Sequence, residues 1–260
     1  MRIINSIFIL SLISFLVICG CQKDAVGIND GQGTLRIYVT DATADYDSVK
    51  ITFSKISAHS DSGWISVIVD PVTVDLLKWS NGKKFLVGSA DVPASKYTQI
   101  RLIIDDAEIG VKGKVWPLTV PSGAQTGLKF GPQFTIEEGL SYELVIDFDV
   151  CKSIVVNGSK KNPKSYKLKP HIRIVAAAVT GSISGIVANN EDAPTAYAVQ
   201  GEDTVSTAMA DRSSGYFMLG FLPAGEYQVS VADTIGLSYG PESIEVVTGT
   251  NYDLGIISLE

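Results

Sequence analysis

Paired carboxylates have the spacing that comes closest to a catalytic or metal-binding arrangement in this sequence. Asp147 and Asp149 are two residues apart in an alternating apolar stretch, so they share one face of a predicted strand. Residues 41–47 contain three further aspartates. Two carboxylates roughly 5 Å apart serve retaining glycosidases, and clustered oxygen ligands bind Ca²⁺. Because no acidic group follows the Asp-x-Asp-x-Asp-Gly pattern, we expect solvated carboxylates, or pairing with Lys152 or Arg101.

Imidazole bases are scarce, since His59 and His171 are the only two. Nucleophilic catalysis usually needs a base beside the nucleophile. His59 lies among serines and an aspartate in residues 57–62, but no Gly-x-Ser-x-Gly turn accompanies it. We therefore expect no catalytic residues, and a hydrolase that uses Asp147 and Asp149 is the weakest functional hypothesis. Three cysteines and two histidines make a His/Cys metal cluster close to excluded, and we expect no metal or cofactor.

Tryptophans provide the clearest binding signal. Trp64 follows Gly63, Trp79 precedes Ser80-Asn81-Gly82, and Trp116 precedes Pro117, so all three border predicted turns. Exposed rings near loops stack on sugars or anchor a protein partner, whereas buried rings cap the ends of a core. Trp64, Trp79 and Trp116 are therefore the candidate ligand-binding residues, with core capping as the other interpretation.

The N-terminal residues have the pattern of an export signal. Arg2 precedes an apolar run over residues 3–18, which is typical of a secretory signal peptide. The sequence Ile18-Cys19-Gly20-Cys21 resembles the lipobox of bacterial lipoproteins. This resemblance implies removal of residues 1–20 and acylation of Cys21. A plain secreted protein, with Cys21 as an ordinary thiol, is the alternative.

The lipobox resemblance also predicts where the protein resides. Two or three acyl chains hold a protein on a membrane without a spanning helix. The polar residues up to Gln32 lack an apolar period, so residues 21–32 are expected to form a flexible tether. The predicted location is the bacterial cell envelope. The outer membrane is favoured, because Gln22 rather than aspartate follows Cys21.

Composition limits the function classes. The chain has 260 residues, of which 45% are hydrophobic, enough for one large or two small cores. It has 21 Lys and Arg against 28 Asp and Glu, and its pI is near 4.9. An acidic chain without a basic run argues against nucleic-acid binding, where phosphate neutralisation supplies much of the affinity.

Apolar residues alternate with polar ones over most of the chain, which predicts half-buried strands. Many short strands with frequent turns indicate an all-β fold with two β-sandwich-like domains, residues 33–179 and 180–260. Cys151 follows the longest series and is expected to be a small buried hydrophobe. The series cover residues 35–39, 49–53, 100–104, 142–150 and 168–174.

The first predicted domain resembles an uncharacterised family, a domain of unknown function found in bacterial lipoproteins. The resemblance covers about residues 33–178 and is carried by Thr40-Asp41-Ala42, Tyr46-Asp47 and Val49, and by Tyr166-Lys167-Leu168-Lys169-Pro170 with Ile172-Arg173. His171 departs from the aliphatic residue that we expect in the family. The resemblance implies no activity.

The second predicted domain resembles a carboxypeptidase-regulatory-like, transthyretin-like β-sandwich. The matching residues are Ser214-Gly215-Tyr216-Phe217 and Leu222-Pro223-Ala224-Gly225-Glu226-Tyr227. This module is usually a non-catalytic accessory, and related sandwiches bind carbohydrate or partner proteins.

The sequence thus favours a non-enzymatic, lipid-anchored envelope protein that binds glycan or protein ligands at the surface. A structural or assembly component of a surface complex is the alternative. The expected partners are the membrane, through the acyl chains, and a glycan or an envelope protein.

Overall fold

A computed structural model describes residues 31–42, 44–159 and 162–260. The predicted signal peptide (residues 1–20), Cys21 and nearly all of the tether lie outside the described residues. Strands dominate this part of the chain, and its two α-helices have five and four residues. The predicted all-β, sandwich-like fold is confirmed.

The first thirteen strands form what we call the first body. They are β1 (Gln32–Ala42), β2 (Ser48–Ser60), β3 (Gly63–Ile68), β4 (Val72–Asp75), β5 (Phe85–Pro93), β6 (Ser95–Val111), β7 (Lys114–Thr119), β8 (Leu128–Phe130), β9 (Phe134–Ile136), β10 (Ser141–Asp149), β11 (Ile154–Ser159), β12 (Asn162–Leu168) and β13 (Ile172–Ala176). Two short helices interrupt them: α1 (Ser122–Thr126) and α2 (Val150–Ser153). A 3-10 turn, Leu76–Trp79, follows β4.

Two sheets enclose the core of the first body. One has four strands in the order β13-β10-β1-β5, with β1 and β10 parallel. The other has nine strands in the path β11-β12-β7-β6-β2-β3, with β4 on β2 and with β8 and β9 on β6. The long strand β6 therefore supports four others on one face of the body, and most of the sheet is antiparallel.

Strands β14 to β20 form the second body. They are β14 (Thr180–Val187), β15 (Thr195–Gln200), β16 (Asp203–Met209), β17 (Tyr216–Pro223), β18 (Gly225–Ala232), β19 (Ser238–Val246) and β20 (Asn251–Ile257). A three-stranded sheet, β17-β14-β20, and a four-stranded sheet, β16-β15-β18-β19, enclose a second core.

Period-two alternation explains both cores. Leu35, Ile37 and Val39 on β1 are fully buried, as are Ile100 and Leu102 on β6, while their neighbours along each strand are more exposed. Successive side chains of a strand point to opposite faces, so one apolar face per strand suffices to build the core. Burying each large aliphatic side chain contributes about 1.5–3 kcal/mol.

Residues 168–174 do not form one strand. Leu168 ends β12 in the nine-stranded sheet, and Ile172 begins β13 in the four-stranded sheet. Pro170 lies between them, and proline has no N–H to donate to a ladder. The apolar alternation across Pro170 therefore belongs to two sheets.

Each body contains the same tyrosine contact at a strand-to-strand turn. Tyr97 donates from its hydroxyl to the carbonyl of Pro93 at 2.8 Å, and Tyr227 donates to the carbonyl of Pro223 at 2.9 Å. Both rings are fully buried. The turn sequences share the pattern Pro-Ala-x-x-Tyr, so two unrelated stretches of chain fix the same turn with the same hydrogen bond.

The turn before β17 requires particular residues, because one carboxylate and one glycine determine its conformation. The Asp211 carboxylate accepts from the backbone N–H groups of Ser213 and Ser214 at 3.1 and 2.9 Å, and from both hydroxyls. These hydrogen bonds hold the pKa of Asp211 well below its usual range. Gly215 follows at φ +71°, where a Cβ would meet the Val187 carbonyl oxygen at 2.2 Å.

Gly215→Ala is expected to destabilise the second body by at least 2 kcal/mol, because it adds a backbone collision to a left-handed conformation. Gly201→Ala is the matched control, since Gly201 has φ +65° with nothing near its Cβ position. Its expected cost is about 1 kcal/mol. Chemical denaturation of both variants measures the difference, and equal losses would contradict the role given to the Val187 contact.

Candidate functional site

The paired carboxylates lie where the two bodies meet. Asp147 on β10 faces Arg173 on β13, its directly opposite cross-strand neighbour. Its Oδ2 accepts from Arg173 Nε at 3.2 Å and from Nη2 at 2.5 Å. Burial raises the pKa of Asp147, and the guanidinium of Arg173 opposes that rise. Asp149 instead pairs with Lys152, at 3.1 Å.

These cations also contact the second body. Arg173 Nη1 donates to the carbonyl of Phe221 at 3.0 Å, and Lys152 Nζ donates to the carbonyl of Thr204 at 3.0 Å. The side chains that neutralise Asp147 and Asp149 therefore also join the bodies. We call this contact region the seam.

A cavity of about 170 Å³ lies at the seam. His171 contributes to its lining, with its backbone N–H bonded to the Ser153 hydroxyl at 2.8 Å. Pockets for small organic ligands usually enclose roughly 300–1,000 Å³, so this cavity is small for one. Its two carboxylates already have cationic partners, Lys152 and Arg173, so neither is free to act as a base. The lining residues are Asp147, Asp149, His171, Arg173 and Thr204 to Thr207.

A tight turn in the first body completes the seam. Asn81 and Gly82 both have positive φ, and the Asn81 side chain accepts from the backbone N–H of Met218 at 3.2 Å. A Cβ on Gly82 would meet the Met218 sulfur at 2.2 Å. The Asn-Gly pair thus provides both the turn and the close approach of the two backbones.

The aspartates of residues 41–47 do not converge. Asp41 is buried and accepts from the backbone N–H of Val150 at 3.0 Å. Asp47 accepts from the N–H of Gly113 at 2.7 Å, and Asp45 forms an exposed ion pair with Arg212 at 3.2 Å. Within the described ranges, no group of three or more His, Cys, Asp or Glu side chains has the geometry to hold a metal ion.

Trp79 and Trp116 pack against the first core. Trp79 ends the 3-10 turn, with its ring 5.1 Å from that of Phe85. Trp116 on β7 is half-buried, has the Tyr166 ring 5.7 Å away, and has Lys114 Nζ 3.8 Å above its ring centroid. Their rings therefore contribute to core packing, and their assignment as ligand-binding residues stays a prediction.

Trp64 is the most exposed of the three, at 36%. It lies on β3, directly opposite His59 on β2, and the two ring centroids are 4.9 Å apart. Arg101 of β6 places its guanidinium carbon 4.0 Å from the Trp64 ring centroid, and Lys129 of β8 places Nζ at 6.0 Å. We call Trp64, His59, Arg101 and Lys129 the Trp64 cluster.

Arg101 is held in place by its surroundings, although it has no anionic partner among the described residues. It forms no ion pair in the part of the chain that the structure describes, and its buried Nε has no hydrogen-bond partner there. Gly127, at φ +116°, brings its backbone so close that a Cβ would lie 2.9 Å from the Arg101 stem. The Trp64 ring and Gly127 therefore confine the guanidinium.

Sequence reasoning found Trp64 but missed the cations beside it. Arg101 and Lys129 are directly opposite on β6 and β8, although 28 positions separate them in the sequence. Arg173 was missed as the partner of Asp147 for the same reason. The sequence carried only a weak signal. Both arginines occupy polar positions of alternating strands, and this pattern predicts the side of the sheet on which each lies but not its cross-strand neighbour.

Charge is distributed unevenly between the two bodies. Residues 181–260 contain eleven acidic residues and one basic residue, Arg212. Residues 31–180 contain 18 basic and 15 acidic residues. The second body is therefore strongly negative, and the first is slightly positive.

Cys151 is exposed, which corrects the expectation of a small buried hydrophobe. Strand β10 ends at Asp149, and α2 begins at Val150. The inward-outward alternation of the strand therefore does not reach Cys151, and the helical turn presents it at the surface.

No helix in the described residues has the length and apolar character needed to cross a bilayer.

One family model matches the sequence over residues 32–170, and its description is a domain of unknown function, DUF4382. No curated protein matches.

Among solved structures, the Bacillus anthracis TIE protein is 13% identical with a TM-score of 0.26, and the match covers 88% of this chain and 34% of that one. BcpA, the major pilin subunit of Bacillus cereus, is 12% identical with a TM-score of 0.21, covering 88% and 70%. The fimbrial anchor protein Mfa2 from Porphyromonas gingivalis is 10% identical with a TM-score of 0.20, covering 86% and 90%. TM-scores this low support no functional argument.

Arg173→Ala is expected to lower the free energy of unfolding by about 3 kcal/mol, because it leaves the mostly buried Asp147 carboxylate without its cation. It should also increase protease cleavage near the seam, since the contact with the Phe221 carbonyl is lost. Arg212→Ala is the matched control, because its ion pair with Asp45 is exposed and worth at most about 1 kcal/mol. Equal losses in the two variants would contradict the seam described above.

Proposed function

The chain belongs to the DUF4382 family, and from this premise we propose that it is a non-enzymatic, lipid-anchored protein of the bacterial cell envelope. In this proposal the folded part is a surface binding module for glycan or protein ligands. The lipid anchor is Cys21, and the predicted location is the outer membrane.

The Trp64 cluster is the observation that supports a binding role. Its exposed aromatic ring adjoins two cations that have no carboxylate partner within the described ranges. Aromatic and guanidinium groups are enriched at recognition sites, because they bury a large area and donate directed hydrogen bonds. A ligand is the natural source of the missing anionic group.

The ion pairs of Asp147 and Asp149 support a non-enzymatic role. A retaining glycosidase needs one carboxylate free to attack and one free to donate a proton. Asp147 and Asp149 are instead bonded to Arg173 and Lys152 at the seam. The resemblance of residues 181–260 to a carboxypeptidase-regulatory-like module also favours an accessory role. A hydrolase that uses these carboxylates therefore remains the weakest hypothesis.

A structural or assembly component of a surface complex is the second candidate. The observation that favours it is the charge difference between the bodies, since a strongly acidic body attracts a basic partner.

A glycan array probed with the full-length chain in detergent tests the binding module. We expect selective retention on a subset of glycans, and loss of that retention when Trp64 is replaced by leucine. Tyr252→Leu is the control, because Tyr252 is an exposed aromatic residue on β20 of the second body, outside the Trp64 cluster. If no glycan is retained selectively, and an envelope protein is captured in a parallel crosslinking experiment whether or not Trp64 is replaced, the assembly role is the better account.

Cys21→Ser is expected to release the protein from membranes, because the sulfur that carries the first acyl chains is removed. Fractionation of cells that process lipoproteins measures the shift. Cys19→Ser is the control, since Cys19 precedes the predicted cleavage point and should leave anchoring unchanged. If the Cys21→Ser variant stays in the membrane fraction, acylation at Cys21 is the wrong account of its location.

A further inference from the structure

We propose that the Trp64 cluster binds the negatively charged groups of an acidic polysaccharide. This inference rests on the proposed binding function and names the ligand class. The site is the outward face of β3, β2, β6 and β8, and its main donor is the guanidinium of Arg101.

The charges of Arg101 and Lys129 repel each other at their observed positions, which destabilises the folded protein. Arg101 Cζ and Lys129 Nζ both lie near the Trp64 ring centroid, at 4.0 and 6.0 Å. Their charges are therefore within roughly 10 Å of each other, about one Debye length at physiological salt, and they repel. Like charges directly opposite on paired strands are destabilising, and Arg101 and Lys129 are such a pair. An anion bound between them would remove this cost.

Arg101 is preorganised for an anion that accepts two parallel hydrogen bonds. Trp64 stacks near its guanidinium and Gly127 confines its stem, so little side-chain freedom is lost on binding. Guanidinium groups bind carboxylates and sulfates through two parallel hydrogen bonds, and such charge-assisted bonds are the stronger class.

The neighbouring side chains favour sugar over protein. The register places Ser66 in the row of Arg101, with the buried Ser57 between them, and Gln99 in the row of His59 and Trp64. Ser66 and Gln99 are partly exposed, and their side chains can hydrogen-bond to sugar hydroxyl groups. A protein interface would need an apolar centre, and these two rows offer one large aromatic ring.

Direct titration of the full-length chain in detergent tests the proposal. Polygalacturonate supplies carboxylates, dextran sulfate supplies sulfates, and neutral dextran is the uncharged control. We expect binding of at least one polyanion, with affinity falling as salt rises, and no binding of dextran. Failure of both polyanions, or equal binding of dextran, would overturn the proposal.

Three variants locate the site. Arg101→Gln should weaken polyanion binding by at least 10-fold, and Arg101→Lys should not restore it, because an ammonium lacks the planar fork. Lys129→Gln should weaken binding 3- to 10-fold. Lys129 is exposed, so this variant keeps the test decisive if Arg101→Gln does not fold.

Lys114→Gln is the matched control, since Lys114 also lies over a tryptophan, Trp116, on the same sheet. Its effect should be less than 2-fold. An equal loss of affinity in Lys114→Gln would show that polyanion binding depends only on the net charge of the protein, and this would overturn the proposal.

Two other occupants would give different results. If sedimentation shows self-association that Arg101→Gln abolishes, with no polyanion bound, the occupant is the acidic second body of another copy. If anionic vesicles bind through Arg101 and polyanions do not, the occupant is a lipid surface. Selective binding of neutral glycan, unchanged by Arg101→Gln, would overturn this ligand class and leave the proposed binding function standing.

Discussion

One guanidinium links an ion pair of the first body to the contact with the second body. Arg173 and Asp147 are opposite neighbours on β13 and β10, so the strand register alone brings the charges together. Removing a charged pair from water is costly unless its remaining donors are also satisfied. Arg173 meets this requirement with the carbonyl of Phe221, which belongs to the second body. The hydrogen bond that completes this mostly buried pair therefore helps to fix where the second body docks, together with the contacts of Lys152 and Asn81.

This docking leaves the other sheet of the first body open. The seam uses the ends of β1 and β10, strand β13, and the turn at Asn81, while β16 and β17 contribute from the second body. The Trp64 cluster lies on β2, β3, β6 and β8, which belong to the nine-stranded sheet. The second body is thus attached at one sheet and the Trp64 cluster lies on the other, so the attachment does not cover the cluster.

Local patterns predict the strands well, because burial of one face follows directly from the period of two. They also predict the turn at Asn81-Gly82 and the one at Ser214-Gly215, since positive φ favours these residue types. The register between strands that are far apart in the chain leaves no comparable pattern in the sequence. The pairs Asp147–Arg173 and Arg101–Lys129 arise only when strands far apart in the sequence lie side by side. Cys151 was misplaced for a different, local reason: a four-residue helix replaces the expected continuation of β10.

Strand β1 connects the proposed anchor to the distribution of charge. Its first residue, Gln32, is eleven residues after Cys21, and its far end contacts β16 of the second body. Eleven strand residues at about 3.3 Å each span roughly 35 Å, several times the Debye length of about 8 Å at physiological salt. With Cys21 acylated and β1 directed away from the bilayer, the acidic second body would lie beyond the range of repulsion from an anionic membrane surface. The more basic first body would then lie between the second body and the lipid, and this order of charges favours that orientation over one with the second body against the lipid.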